Sequence, residues 1–513
     1  MKNNRKNDQL KIGVILSYVS TGMNMIIQLC YTPLMIRLLG QSEYGLYTLV
    51  GSVVSYLSLF SLGFTGAYLK FYSKTKKENG AKEVARLNGM FLSIFLCMSL
   101  IALLCGMILS EFTPQLLGNK LTNDELGKAS ILMKILVINI AMTFPASLFE
   151  SMISAHERFL FQRVITLFGI VLNPFVCLPF LLMGHGSVVV VVTSTAITLV
   201  KLVINVIFCI KKLKIKFIFG KPDIKQVKEI SGFSFFIFLN MIIDQVNWSV
   251  DKYILGRVAG TTAVAVYGVG SQINSLFIQF STAISTVFAP RINRIAADKK
   301  TTMQFEFTDL MIKVGRIQLI VLGLLASGFV VFGNYFITQI YAGNEYRDAY
   351  VVALLLVLPA LVPLIQNVGI EIQRAVNKHK MRSVMYLGMA LVNTIISIPL
   401  AMHYGPVGSA AGTAISLVIA NGFIMNVYYK QGLGIDIIKF WKSILSLIRS
   451  MVIPGVFGFI IMRYFVFSGI VVYSICIILY SVVYCISIFI FGMNKDERNI
   501  VKKPITKLFS GSK

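Results

Sequence analysis

The sequence predicts an all-α protein that crosses a membrane many times. Its composition, its regularly spaced apolar runs and its placement of basic residues all support this fold class. Of the 513 residues, 56% are hydrophobic and only 14% are charged, whereas a soluble chain of this length would divide into domains with charged surfaces. The apolar runs are each about 20 residues long, which is the length that a helix needs to cross a bilayer.

Fourteen such runs can be recognised, and very short turns separate the fifth from the sixth, the eleventh from the twelfth and the thirteenth from the fourteenth. Each run is expected to form one transmembrane helix. The predicted spans are 12–36, 44–66, 89–110, 129–150, 161–183, 187–210, 231–253, 263–289, 314–336, 349–370, 383–403, 407–429, 444–467 and 469–492.

The basic residues predict the orientation of these spans. With both termini in the cytoplasm, 37 Lys and Arg residues lie in or beside the cytoplasmic segments and 6 lie on the outer side. Such a split follows the positive-inside rule and predicts a multi-pass membrane protein with both termini in the cytoplasm. The net charge of +26 therefore indicates topology and contact with anionic lipid headgroups rather than nucleic-acid binding.

The remaining five of the 48 basic residues fall inside the predicted spans. Arg316, Arg449 and Arg463 lie near span ends, where we expect their side chains to reach the membrane interface. Lys134 and Lys201 lie deeper. An intramembrane charge is a functional candidate by default, although a long side chain can also extend to a surface.

Two parts of the chain repeat each other, which indicates an internal duplication. The matching pairs are Asn173 with Asn393, Pro179 with Pro399, and Leu39-Gly40 with Leu255-Gly256, at offsets of 220, 220 and 216 residues. The repeating unit contains six spans, an even number, so its two copies have the same orientation. We therefore predict two pseudo-symmetric six-helix bundles, at residues 1–210 and 211–430, and an appended pair of helices with a cytoplasmic tail at residues 431–513.

A polar stripe in the seventh predicted span is the strongest functional signal. Asn240, Asp244, Asn247 and Asp251 recur at helical spacing within a segment of mostly Phe, Ile, Leu and Met residues. A carboxylate in a membrane span is costly unless it faces protein or water, so the stripe predicts a functional site. The structural alternative is a hydrogen-bonded face that joins packed helices.

Similar stripes occur in other spans. The offset of 216 aligns Asn240 with Asn24 and Asp244 with Gln28 in the first span, and Gln272 and Gln279 lie on one face of the eighth. Ser52, Ser55 and Tyr56 form a weaker stripe in the second span. Because these spans are equivalent pairs of the two repeats, we expect the stripes to face a hydrated cleft between the bundles.

The sequence does not contain the features that an enzyme of this size would need. No outer loop is long, and no phosphate-binding loop, dinucleotide fingerprint or HExxH motif is present. The four histidines are isolated, and the seven cysteines lie in apolar runs without a CxxC pair. We therefore predict a transporter without catalytic residues, metal ligands or a cofactor, driven by something other than bound ATP.

Several motifs resemble the polysaccharide transporter family, the Wzx-type flippases for lipid-linked oligosaccharides, within the multidrug, oligosaccharidyl-lipid and polysaccharide exporter superfamily. The resemblance covers almost the whole chain. The matching segments are Leu39-Gly40-Gln41-Ser42-Glu43-Tyr44-Gly45-Leu46-Tyr47, Ala155-His156-Glu157-Arg158-Phe159, Asp251-Lys252 with Leu255-Gly256, and Pro290-Arg291.

This resemblance implies a V-shaped double bundle that moves an undecaprenyl-diphosphate-linked sugar unit to the outer leaflet by alternating access. Lipid II flippases, which are similar, have several arginines in the cleft. This chain instead has Arg37 and Lys252 at the outer ends of the first and seventh spans. The expected translocation residues are Asn24, Gln28, Arg37, Asn240, Asp244, Asn247, Asp251, Lys252, Gln272 and Gln279, with Asp244 also a candidate for ion coupling.

Two other functions remain open. A multidrug exporter of the same superfamily would exchange organic cations for protons or sodium, and it would also need a carboxylate in the seventh span. A non-transporting membrane scaffold would have no solvent-accessible cleft. If the chain is a flippase, its partners are a polyprenyl-diphosphate-linked glycan, membrane lipids and, as candidates, a polysaccharide polymerase and a chain-length regulator. We expect a monomer, and the sequence leaves open whether the glycan serves capsule, O-antigen, teichoic acid or exopolysaccharide.

Overall fold

The computed structural model describes residues 2–78, 80–118, 120–220, 224–298, 303–378, 380–465, 467 and 469–499, and these residues form helices and short connections without β-strands. The helices are α1 (Lys2–Val54), α2 (Phe64–Glu78), α3 (Gly80–Glu111), α4 (Thr113–Leu117), α5 (Asn123–Ala155), α6 (Phe159–Leu182), α7 (Gly186–Ile207), α8 (Ile224–Thr286), α9 (Ala289–Asp298), α10 (Met303–Tyr335), α11 (Arg347–Ile365), α12 (Val368–Ala375), α13 (Lys380–Leu417), α14 (Met425–Leu433), α15 (Ile437–Ile448), α16 (Val452–Tyr464) and α17 (Ile470–Ser487).

The described residues contain eleven helical segments that are long and apolar enough to cross a membrane. Val19–Glu78 and Val227–Thr286 have 60 residues each, and Met381–Leu433 has 53. Each is long enough for more than one crossing, since one crossing needs about 20 residues. The prediction of an all-α, multi-pass membrane protein is confirmed, while the count of fourteen spans stays a prediction.

Glycines interrupt the three longest segments. Gly40 has φ 75° and ψ 170°, Gly260 has φ 83° and ψ −177°, and Gly405 has φ 56° and ψ −135°. Side chains with a Cβ rarely adopt such positive φ values, so glycine lets the chain turn sharply between two helices. All three positions fall between predicted spans.

Two pairs of left-handed backbone positions are separated by 220 residues, which is one of the offsets of the predicted internal repeat. The sharp turns are at Gly40 and Gly260, not at Gly40 and Gly256, the pair that the sequence matches. The left-handed residues Glu157 (φ 58°) and Asn377 (φ 56°) have the same offset. If the repeat has this offset throughout, Asn24 corresponds to Asp244 rather than to Asn240.

The helices group into two compact units. The first comprises Met1–Gly268 with Ser397–Ser409, and the second comprises Val269–Ile396 with Ala410–Lys513. The core of the first contains the fully buried rings of Phe91 and Phe95, beside Leu148 and Met152 of α5. The predicted division at residues 210 and 430 stays a prediction.

The core of the second unit joins α10 to α15. Phe307, Met311 and Val314 of α10 belong to one buried cluster with Phe440 and Ile444 of α15. The predicted thirteenth span therefore packs on the predicted ninth. A separate aromatic cluster, in which Phe332 stacks edge-on against Tyr473 and Tyr480, joins α10 to α17.

One prediction about the basic residues within spans is wrong. We expected Arg316 to reach the membrane interface, but the Arg316 side chain is only 5% exposed and pairs with Glu497 at 2.6 Å. Lys134 instead pairs with Glu111 at 2.9 Å, and Lys201 lies 4.0 Å from Glu150, both as partly exposed pairs.

Candidate functional site

The predicted stripe on α8 passes from an exposed to a buried environment. Asp244 is exposed, Asn247 is half-buried, and Asp251 is only 2% exposed. The side chain of Asn240 lies outside the described part of the structure. The carboxylate most open to a substrate or an ion is therefore that of Asp244.

Asp251 can be buried because hydroxyl groups from segments distant in sequence donate hydrogen bonds to its carboxylate. The Tyr267 hydroxyl donates to Oδ2 at 2.8 Å, and the Ser409 hydroxyl donates to Oδ1 at 3.0 Å. Tyr267 lies on α8 beyond the turn at Gly260, and Ser409 follows the turn at Gly405. A buried carboxylate is expensive unless it is hydrogen-bonded or paired, so these donors explain its tolerance. Lys252, beside it, is half-buried.

A hydrogen-bonded triad lies next to the stripe. The Gln245 amide donates to the hydroxyls of Ser55 and Ser249, and these two hydroxyl oxygens are 3.2 Å apart. Ser55 belongs to the predicted stripe of the second span, whereas Gln245 and Ser249 were not predicted site residues. The triad joins α8 to the segment that follows α1, and this part of the structure agrees with the alternative of a hydrogen-bonded packing face.

One polar atom of the stripe has no partner within the described structure. The Asn247 Oδ1 atom is buried and accepts no hydrogen bond. Leaving such an acceptor without a partner costs about 1–3 kcal/mol. A water molecule or a substrate hydroxyl would satisfy it.

The remaining predicted residues belong to different environments. On α1, Asn24 and Gln28 are half-buried, and Arg37 is exposed. Gln272 and Gln279 are half-buried and belong to the second unit. Their grouping into one cleft with the α8 stripe stays a prediction.

Glu43, in the most specific of the motifs, holds the beginning of α7. Its Oε1 atom accepts hydrogen bonds from the backbone nitrogen of Ser187 at 2.8 Å and from the Ser187 hydroxyl at 2.9 Å. Lys128 Nζ lies 3.7 Å from the same oxygen. A carboxylate is favourable at a helix N-terminus, so this motif residue has a structural role.

Within the first unit, α8 also contacts the end of the predicted second span. The Ser61 hydroxyl lies 3.7 Å from the sulfur of Met241, and a Cβ added to Gly63 would lie 2.7 Å from the Ile237 side chain. An exposed ion pair at 3.3 Å also joins Lys74 of α2 to Glu229 of α8. These contacts and the Gln245 triad join the predicted second and seventh spans at two levels.

In the described part of the chain, no three His, Cys, Asp or Glu side chains are grouped in a way that could hold a metal ion. The seven cysteines are free thiols.

Comparison with known proteins identifies relatives along most of the chain. The family model described as "Polysaccharide biosynthesis protein" matches residues 10–296. A "Putative O-antigen transporter" from Shigella flexneri is 20% identical over 388 residues, which cover 75% of this chain and 89% of that protein.

Solved structures share the fold. A lipid II flippase, MurJ, in an inward closed conformation superposes with a TM-score of 0.73 at 19% identity, covering 94% of this chain and 98% of that one. An inward-facing multidrug resistance transporter of the MATE family, in the MOP superfamily, gives a TM-score of 0.59 at 13% identity, covering 83% and 99%. These relatives are named as transporters or a flippase, not as enzymes. Because the matching model spans more than half of the sequence, the chain belongs to the polysaccharide biosynthesis protein family.

Proposed function

We propose that this protein is a flippase that moves undecaprenyl-diphosphate-linked oligosaccharide units across the bacterial cytoplasmic membrane by alternating access, for the synthesis of a cell-surface polysaccharide. Family membership is the observation that carries the proposal. The transporter from Shigella flexneri and the lipid II flippase, by their names, support the same class of substrate.

The polar residues of α8 suit this substrate. A sugar headgroup brings many hydroxyls, and each costs several kcal/mol in hydrocarbon without a partner. Exposed Asp244 and the unsatisfied Asn247 Oδ1 offer acceptors, while Asn24, Gln28, Gln272 and Gln279 would add donors and acceptors. In this proposal the polyprenyl tail stays in the lipid, and Arg37 and Lys252 contribute positive charge near the outer side.

The membrane potential is sufficient to drive this transport. Moving a diphosphate of about two negative charges outward, from the negative inside to the positive outside, releases roughly 2.3 kcal/mol per charge per 100 mV. Ion coupling is therefore not required. Asp244 remains the candidate for binding a proton or sodium ion if the transport is coupled.

The test is transport in proteoliposomes that contain the purified protein and a radiolabelled polyprenyl-diphosphate oligosaccharide. We expect the fraction of sugar accessible to an added glycosidase to change with an imposed potential, and to stay constant in liposomes without the protein. Absence of movement in both potential directions would contradict the proposal.

A multidrug exporter is the second candidate, supported by the fold shared with a MATE transporter and by the exposed carboxylate of Asp244. In the same proteoliposomes, it predicts that an organic cation such as ethidium moves when a proton or sodium gradient is imposed. A flippase predicts that the lipid-linked sugar moves and ethidium does not.

The proposal extends to topology and partners. Both termini lie in the cytoplasm, the two six-helix repeats are related by a pseudo-two-fold axis along the membrane normal, and the protein acts as a monomer. A polysaccharide polymerase and a chain-length regulator would use the exported units. Co-purification of these two proteins from a mildly solubilised membrane would test the partners.

A further inference from the structure

Glu125, in the first turn of α5, connects two turns that are distant in sequence. Its Oε1 atom accepts hydrogen bonds from the Ser42 hydroxyl at 2.5 Å and from the Thr261 hydroxyl at 2.8 Å. The hydroxyl oxygens of Ser42 and Thr261 are themselves 3.3 Å apart. One carboxylate oxygen thus holds both residues together.

The other oxygen of Glu125 fixes the carboxylate in position. Oε2 accepts hydrogen bonds from the backbone nitrogen of Thr122 at 2.8 Å and from its hydroxyl at 3.1 Å. The Thr122 hydroxyl in turn accepts from the Glu125 backbone nitrogen at 3.3 Å, which completes a capping box. The helix start therefore pre-orients the oxygen that Ser42 and Thr261 share.

The two turns joined by Glu125 are equivalent positions of the internal repeat. Ser42 lies two residues after the turn at Gly40, and Thr261 lies one residue after the turn at Gly260. The two backbone segments also touch directly here, because a Cβ on Gly45 would overlap the carbonyl oxygen of Thr261. The contact therefore joins the end of the first span of one repeat to the same place in the other.

We propose that Glu125, Ser42 and Thr261 form a latch that holds the outer side of the transporter closed and that releases when this side opens. The inference rests on the proposed function and topology, which put both turns on the outer side and require them to separate during transport. We call these three residues the Glu125 latch.

The exposure of the Glu125 latch suits a contact that opens and closes. Ser42 is exposed and Glu125 is half-buried, whereas Thr261 is only 5% exposed, so water already reaches Ser42 and Glu125 and can replace the hydrogen bonds of all three when the turns separate. Arg316 and Glu497 are different, because both are charged and both side chains are only 5% exposed. Breaking a buried pair leaves a charge without compensation, so that pair is suited to a permanent connection.

The first test weakens the Glu125 latch and measures access from outside. Glu125→Gln keeps the capping box, since Gln serves as well as Glu at this position. Its side chain has only one oxygen, which cannot accept hydrogen bonds both from Thr122 and from the hydroxyls of Ser42 and Thr261. Ser42→Ala combined with Thr261→Val removes the donors instead. Asp124→Asn is the matched control, because it removes an exposed negative charge one residue away.

The readout is the labelling rate of a reporter, Gln28→Cys, in a variant whose seven native cysteines are replaced, with a membrane-impermeant maleimide added outside. Losing hydrogen bonds to a charged group shifts the equilibrium toward the open state. The free energy of such bonds corresponds to about tenfold faster labelling. We expect this increase in Glu125→Gln and in the Ser42/Thr261 double variant, but not in Asp124→Asn. Equal rates in all of these proteins would overturn the proposal.

The second test closes the Glu125 latch covalently. With their oxygens 3.3 Å apart, Ser42→Cys and Thr261→Cys are near enough for a disulfide. In a protein that keeps Gln28, oxidation should stop the movement of lipid-linked sugar, and a reducing agent should restore it. Each single cysteine variant, treated in the same way, is the control.

The two proposals fail in different ways. If labelling responds to the Glu125 latch but no lipid-linked sugar moves, the Glu125 latch stands and the flippase function is wrong. If the oxidised double-cysteine protein moves sugar at the full rate, the turns do not separate during transport and the Glu125 latch is wrong.

Discussion

At the scale of single residues, the two carboxylates of the α8 stripe have different roles. Asp251 is buried and receives hydrogen bonds from Tyr267 and Ser409, so its environment is defined by the fold. Asp244 is exposed, so its environment can change when a substrate or an ion binds. Transport chemistry should therefore depend more directly on Asp244.

We expect Asp244→Asn to lower the rate of sugar movement by a few-fold, with an unchanged response to proton and sodium gradients. Asparagine keeps one carbonyl acceptor, and a single hydrogen bond contributes about 1 kcal/mol. The measurement is transport in proteoliposomes with and without each gradient, and Asp348→Asn, which changes another exposed carboxylate, is the control. Loss of the gradient response would instead assign ion coupling to Asp244.

The sequence identified part of this site. Helical spacing put Asp244, Asn247 and Asp251 on one face. It could not identify the partners of Asp251, because Tyr267 is 16 residues away and Ser409 is 158 residues away. The sequence analysis did not single out Glu125, and only the fold shows that it caps α5 and reaches Ser42 and Thr261.

At the scale of helices, glycine determines how closely the segments of the first unit pack. Apolar length and basic residues predicted the helices, but they could not distinguish Gly256 from Gly260 as the site of the turn. Both follow apolar residues, and only the φ of 83° identifies Gly260. Gly256 lies within the helix, where a Cβ would overlap the Leu49 side chain.

We expect Gly45→Ala to lower the melting temperature of the detergent-solubilised protein, because the added methyl group would overlap the backbone of Thr261. Overpacking of this kind typically costs about 1–3 kcal/mol. Gly51→Ala is the matched control, since a Cβ there meets nothing within 4 Å. A similar melting temperature for both variants would show that the Gly45 contact is not tight in solution.

At the scale of the whole molecule, the segment after α17 is tied to the interior of the second unit. Arg316 on α10 donates to both carboxylate oxygens of Glu497, at 2.6 and 2.9 Å, and to the carbonyl oxygens of Ser443 and Gly492. Sequence reasoning missed this pair because both residues lie near predicted span ends, where exposure is the ordinary expectation. The connection explains how the appended helices can keep a fixed position on α10.

We expect Glu497→Gln to destabilise the protein by about 3 kcal/mol or more, because it leaves the Arg316 guanidinium buried without its counterion. Thermal unfolding in detergent measures the loss. Asp309→Asn, which removes one partner of the exposed Lys439 pair, should leave the melting temperature unchanged. Equal effects of the two substitutions would mean that the Arg316 pair contributes no more than a surface contact.

The account depends most on a polar passage that opens in turn to each side of the membrane. The direct measurement is labelling of Asn24→Cys and Gln279→Cys by an impermeant maleimide, applied separately from outside and inside, with Leu104→Cys on an exposed apolar position as the control. We predict that both polar positions react from both sides while Leu104→Cys stays unreactive. If Asn24→Cys and Gln279→Cys were as unreactive as Leu104→Cys, the passage would not exist and the transport proposal would be contradicted.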